Sequence, residues 1–172
     1  MNIIQTRTLS GPNYWSLRPC IQMILDIGTL EEKPTNKIDG FYERFTQSFP
    51  SIHEHRCSVG KPGGFFQRVK EGTWMGHVVE HVALELQTLA GMDTGFGRTR
   101  ETSDKGIYHV VFSYIVSEVG QRAGELSVEI CEKLISSDKY DLDAIIHELK
   151  ELRERYKLGP STFSLVDEAI AR

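Results

Sequence analysis

Thr73-Trp74-Met75-Gly76-His77-Val78-Val79-Glu80-His81-Val82-Ala83-Leu84-Glu85-Leu86-Gln87 is a helix-period segment with His-x-x-Glu-His at its middle. Histidines four apart share one face of an α-helix, roughly 6 Å apart along its axis, so both imidazoles reach one ion. Glu80 precedes the second histidine. This is the inverted form of the zinc-peptidase signature, in which the carboxylate polarises a metal-bound water. At about 100° per residue, Val78, Val79, Val82, Leu86 and Leu89 form a core stripe. His77, Glu80 and His81 occupy the opposite half, with Leu84 its one apolar member and Thr88 continuing it a turn later. A partly covered face of this kind suits the wall of a cleft. A pair of core histidines hydrogen-bonded to Glu80 is the alternative.

Working outward, residues 2–9 are rich in β-branched side chains and predict a strand ended by Gly11-Pro12. Residues 20–27 predict a second, with Ile21, Met23, Leu25 and Ile27 alternating against Gln22, Ile24 and Asp26. Residues 31–40 read as a loop, and 41–49 as a helix with Phe41, Phe45 and Phe49 four apart, ended by Pro50. Residues 51–59 predict a strand on whose solvated edge His53 and His55 share a face. The Gly60-Lys61-Pro62-Gly63-Gly64 turn lacks the spacing of a nucleotide loop and leads into a short helix over 65–70. Thr73 is the expected N-cap of the central helix, and Gly91 its C-terminal stop. Residues 94–102 and 107–114 form a hairpin through Ser103-Asp104-Lys105-Gly106, with His109 packed within the second strand. Helices are predicted over 118–135 and 140–157. Gly159-Pro160 then breaks the chain before a last helix over 163–172. The fold class is therefore α+β: an antiparallel sheet of about four or five strands packed against several helices, including the His-x-x-Glu-His helix.

A chain of 172 residues with a net charge of −4 suits one domain with a real core and offers no basic footprint for nucleic acid. It contains no apolar run long enough for a membrane span and no signal-peptide core, so the cytoplasm is the expected compartment. Cys20, Cys57 and Cys131 are scattered and odd in number. They make neither a disulfide framework nor a Cys-x-x-Cys knuckle. A metal is accordingly expected to use histidine and carboxylate ligands.

Catalytic zinc takes three protein ligands and leaves a position for water. Glu85 lies about 12 Å along the axis from His77, so it cannot converge with both histidines on one ion. The third ligand is expected from the helix after the hairpin, with Glu118 in its first turn ahead of Glu125. Glu80 is the expected general base. Arg98 and Arg100, on one face of an extended segment, either bind a substrate carboxylate and stabilise an oxyanion or form a solvated strand face. Arg100 is taken as the catalytic candidate.

Further motifs carry a resemblance. Gly11-Pro12-Asn13-Tyr14-Trp15-Ser16, Gly-Phe-Tyr-Glu (40–43), Gly-Gly-Phe (63–65), Glu71-Gly72-Thr73, the 76–87 segment, Gly-Phe-Gly-Arg-Thr-Arg-Glu-Thr (95–102) and Leu-Gly-Pro-Ser-Thr (158–162) occur in one order over the whole chain. Together they resemble the N-terminal domain of cyanophycin synthetases. The resemblance implies a domain over 1–160, with 161–172 beginning the linker to an ATP-grasp domain that 172 residues do not contain. A Mur-ligase-like domain would follow it. ATP and Mg2+ belong to those absent domains, and homo-oligomerisation to the full-length protein. The polymer, a poly-aspartate chain carrying arginine on its side chains, is the implied partner. The resemblance implies two jobs for this domain. One is a zinc-dependent, metallopeptidase-like hydrolase that cuts the polymer into short primers. The other is a non-catalytic polymer-binding and assembly module. Guanidinium groups on such a substrate call for acidic pocket residues, with Glu85, Glu101 and Glu125 as candidates.

Overall fold

The computed structural model describes residues 1–55, 57, 60–157, 162, 165, 168 and 169. Strands β1 (Asn2–Leu9), β2 (Cys20–Asp26), β3 (Gly97–Glu101) and β4 (Ile107–Ser113) form one antiparallel sheet in the order β1-β2-β4-β3. Five α-helices accompany it among the described residues: α1 (Phe41–Ser48), α2 (Gly64–Glu71), α3 (Met75–Leu89), α4 (Ser117–Ser136) and α5 (Leu142–Tyr156). The α+β expectation holds, and the sheet has four of the expected four or five strands.

The two-residue alternation of a strand decides which sheet face is covered. Ile21, Met23 and Leu25 of β2, with Val110 and Phe112 of β4, are fully buried under α3 and α4. Gln22 and Ile24 face the other way and are half-buried, and the Trp15 ring lies 5.6 Å from His109 on that side. His109 is held as a strand residue, its Nδ1 3.1 Å from Gln22 Nε2. Phe41 stacks on Phe45 at 5.9 Å, Phe49 just past α1 lies 6.0 Å from Phe45, and Phe45 meets Phe65 of α2 edge-on. This aromatic cluster fixes α2 beside the start of α3.

Three local expectations are corrected. In place of the strand expected over 51–59, the described residues make a 3-10 turn at Pro50–Glu54, and 56, 58 and 59 lie outside the described residues. Pro50 presets the turn, and Ile52, fully buried, pulls it inward. Bonds from Ile52 N–H to Phe49 O and from His55 N–H to Ile52 O close it. The 31–40 loop contains a 3-10 turn at Thr35–Lys37, and another, Gly28–Glu32, runs into its start. Thr73 is not the N-cap of α3. Trp74 holds that position without a side-chain cap, and Thr73 Oγ1 is used elsewhere, 3.0 Å from His77 Nδ1. The other elements fall where periodicity put them, and Gly91 follows α3 at φ +84°, which suits glycine. The break at 159–162 and the helix over 163–172 fall almost wholly outside the described residues.

Candidate metal centre

The α3 helix carries His77, Glu80 and His81 toward a cleft of about 740 Å³. The edge strand β3 and the segment before α2 form its other walls. His81 is 5 % and Glu80 4 % exposed, so this face is far more covered than a simple cleft wall. Phe65 explains part of the cover: its ring stacks on His81 at 3.6 Å and meets His77 edge-on at 5.1 Å. Burial of an ionisable group disfavours its charged form. Accordingly burial, then the Arg68 charge, lowers the His77 pKa to about 4. Burial, then the neighbouring His77 and His55, holds His81 well below the usual imidazole range. Both rings are thus kept neutral, the form that ligates metal.

Each ring has its Nδ1 occupied. His77 Nδ1 lies 3.0 Å from Thr73 Oγ1, and His81 Nδ1 lies 3.0 Å from His55 Nδ1. A third donor meets them from the segment before α2. One donor atom from each of Cys57, His77 and His81 lies within 4.8 Å of the others, with Cys57 Sγ 3.5 Å from His77 Nε2. Zinc–sulfur and zinc–nitrogen bonds of about 2.3 and 2.0–2.1 Å at a tetrahedral angle separate those donors by roughly 3.6 Å. A thiolate and two neutral imidazoles therefore suit a metal ion in chemistry, and the Cys57–His77 separation matches that spacing.

Glu80 stands beside this trio. Its Oε2 accepts a 2.6 Å bond from Thr99 Oγ1 of β3, and its Oε1 lies 3.9 Å from His81 Nε2. Burial pushes its carboxyl up to about 7, against opposing effects of the Thr99 bond and the Arg98 charge. Gly97 makes room for it, because a Cβ there would overlap the Glu80 carboxylate. Thr99 pairs with Val110 and faces α3, whereas Arg98 and Arg100 pair with Val111 and His109 and so leave the other face of β3. Both arginines are exposed and line the cleft, as does Arg68 of α2.

The expected ligand Glu118 is not brought to this cleft. It sits exposed in the first turn of α4, accepting a 2.8 Å bond from Ser117 Oγ, and Glu125 pairs with Arg122 at 3.0 Å. Sequence reasoning passed over Cys57 because it lies 20 residues before His77, a separation that belongs to no short ligand motif. The glycine-rich turn after it, which returns the chain into α2 and α3, is the signal that was present. Glu85, set aside as a ligand on helix geometry, is 1 % exposed and bonded to His55 and Ser51.

The cyanophycin synthase-like N-terminal domain model matches residues 22–136. The chain is 53 % identical over its whole length to a cyanophycin synthetase of Geminocystis herdmanii, 51 % to one of Synechocystis and 50 % to one of Crocosphaera subtropica. In each case it spans 20 % of the relative's length. The chain belongs to the family of cyanophycin synthase-like N-terminal domains.

Proposed function

We propose that this domain is a zinc-dependent amide hydrolase that cuts cyanophycin into short primers for the ligase domains of a longer synthetase. The observation that carries the reading is the Cys57–His77–His81 donor set standing beside a buried carboxylate, Glu80, in an open cleft. The ion, when bound, supplies Lewis acidity that acidifies water and polarises a carbonyl. Cys57 Sγ, His77 Nε2 and His81 Nε2 would hold it. Glu80 accepts a proton from the attacking water at Oε1 and hands it to the departing amide nitrogen. A carboxyl raised to about 7 has the affinity for both transfers near neutral pH. Thr99 fixes the other oxygen, so Oε1 is the one left to work. Arg68, Arg98 and Arg100 give the cleft a cationic rim for the carboxylates of the polymer's arginyl groups. Glu54 also lines the cleft and is the acidic partner for a guanidinium. Glu101, at the end of β3, is a second.

Cyanophycin incubated with the zinc-loaded domain should shorten, as read by chain-length analysis. Glu80→Gln should slow cleavage by about 10²-fold or more while leaving zinc content intact. Unaltered polymer with fully loaded wild type would leave the assembly-module reading in its place.

A further inference from the structure

Glu85 presents a separate problem. Its carboxylate is buried in α3, one turn beyond His81, and a buried charge must be compensated by hydrogen bonds. Its compensation comes from the 3-10 turn before α2. Ser51 Oγ donates to Glu85 Oε1, and His55 Nε2 lies 2.8 Å from Glu85 Oε2. The other nitrogen of the same His55 ring, Nδ1, lies 3.0 Å from His81 Nδ1. Four side chains thus form one hydrogen-bonded line that ends at the proposed centre.

With Glu85 as the carboxylate and both rings neutral, one arrangement of protons satisfies that line. A carboxylate accepts, so His55 must carry its proton on Nε2 and donate to Glu85. His55 Nδ1 is then an acceptor, which requires the proton of His81 to sit on Nδ1. The lone pair of His81 is left on Nε2, on the side of Glu80 Oε1 at 3.9 Å. Thr73 does for His77 Nδ1 what His55 does for His81. The two arms are not equivalent, because only the His81 arm ends on a buried carboxylate.

We propose that Ser51, Glu85 and His55 are a positioning relay that fixes the Nδ1–H tautomer and the ring orientation of His81. The relay thereby presents His81 Nε2 to the ion. This rests on the metal-centre reading for its purpose, though not for its geometry. The relay acts on the ion through His81, the member of the line that belongs to the donor set. Hydrogen-bond partners of ligating histidines set tautomer and basicity, and their loss costs about 10- to 100-fold in metal affinity. The relay also explains why the turn at Pro50–Glu54 is anchored by Ile52, since that anchor sets the position of Ser51 and His55.

The test uses the full 172-residue chain, with two readouts. Side-chain 15N–1H correlation spectra of the metal-free domain should give His81 as the Nδ1–H tautomer and His55 as Nε2–H. Zinc affinity, from competition with a chromophoric chelator, should fall about 10- to 100-fold in His55→Phe, which keeps an aromatic ring but no acceptor. His55→Gln, whose amide can accept from His81 and donate to Glu85, should recover most of that loss and melt near wild type, whereas His55→Phe, which leaves Glu85 Oε2 without its donor, should melt lower in the metal-free state. Should His55→Phe fail to fold, Ser51→Ala with Glu85→Gln applies the same affinity test from the far end of the relay. His81 found as the Nε2–H tautomer, or His55→Phe binding zinc as tightly as wild type, overturns the proposal. If wild type binds no zinc, the hydrolase reading fails and the tautomers alone decide the relay.

Discussion

Glu80 concentrates the chemistry of the site in one side chain. Its carboxyl is raised to about 7 by burial, so the folded protein keeps a proton that the unfolded chain releases from about 4.5 upward. Unfolding therefore releases that proton, and this residue's contribution to stability falls as pH rises from about 4.5 to 7. The imidazole of His77 acts with the opposite sign. It is lowered to about 4, the unfolded state binds the extra proton between about 4 and 6.5, and stability rises with pH across that interval. His81 adds to the same side. Comparing metal-free wild type with Glu80→Gln isolates the carboxyl, because glutamine keeps an acceptor for Thr99 and cannot ionise. The variant should gain stability relative to wild type, on the order of a few kcal/mol, as pH goes from 5 to 7.5. Urea unfolding at several pH values measures it, and a pH-independent difference would show that Glu80 ionises normally.

At the level of elements, what was legible followed from periodicity. Met23 and its neighbours declared β2 by alternation, and Phe41, Phe45 and Phe49 declared α1 by four-residue spacing. Such elements carry their own pattern of burial. The turn at Pro50–Glu54 carries none. Its shape is set by one buried residue, Ile52, and by partners on α3 that are distant in sequence, so His55 read as solvated edge and Cys57 as one of three scattered cysteines. Glu118 was the converse case, since packing distance between helices said nothing about which face of α3 meets α4, and no α4 residue lines the histidine cleft among the described residues. Helix α4 also shows a requirement that composition hides. A Cβ at Gly120 would stand 2.7 Å from Tyr114 Cβ and 3.1 Å from Ile21 Cγ1. Helix propensity alone makes alanine better there by about 1 kcal/mol. The contact with a rigid Cβ outweighs it, so Gly120→Ala should destabilise the domain by about 1–3 kcal/mol in urea unfolding. A stabilised variant would mean that α4 can lift off the sheet without cost.

Across the whole molecule, the proposed centre joins parts that the fold otherwise holds by different means. Helix α3 packs on the sheet beside α4, with Val78, Val79, Val82 and Leu86 fully buried. The segment carrying Cys57 is held by Ile52, the His55 contacts and the α2 junction, and Cys57 itself adopts φ +50°, a conformation disfavoured outside glycine. An ion bridging Cys57 to His77 and His81 would tie this segment to the rigid helix, so binding free energy becomes folding free energy. Free zinc at about 100 times its dissociation constant adds roughly 2.7 kcal/mol. For a chain of this size each kcal/mol moves the melting temperature by about 2–4 °C, giving a rise of roughly 5–10 °C. Calorimetry with and without zinc should show that rise, and a chelator should reverse it. Cys57→Ser should lose most of the increment while melting like wild type in the metal-free state, because the core beneath it is untouched. The local signature should be sharper than the global one. Hydrogen exchange should slow on zinc addition in the 50–57 segment and at the start of α3, and stay unchanged in β1 and α5. Equal zinc stabilisation of wild type and Cys57→Ser would place the bound ion elsewhere and remove the thiol from the centre.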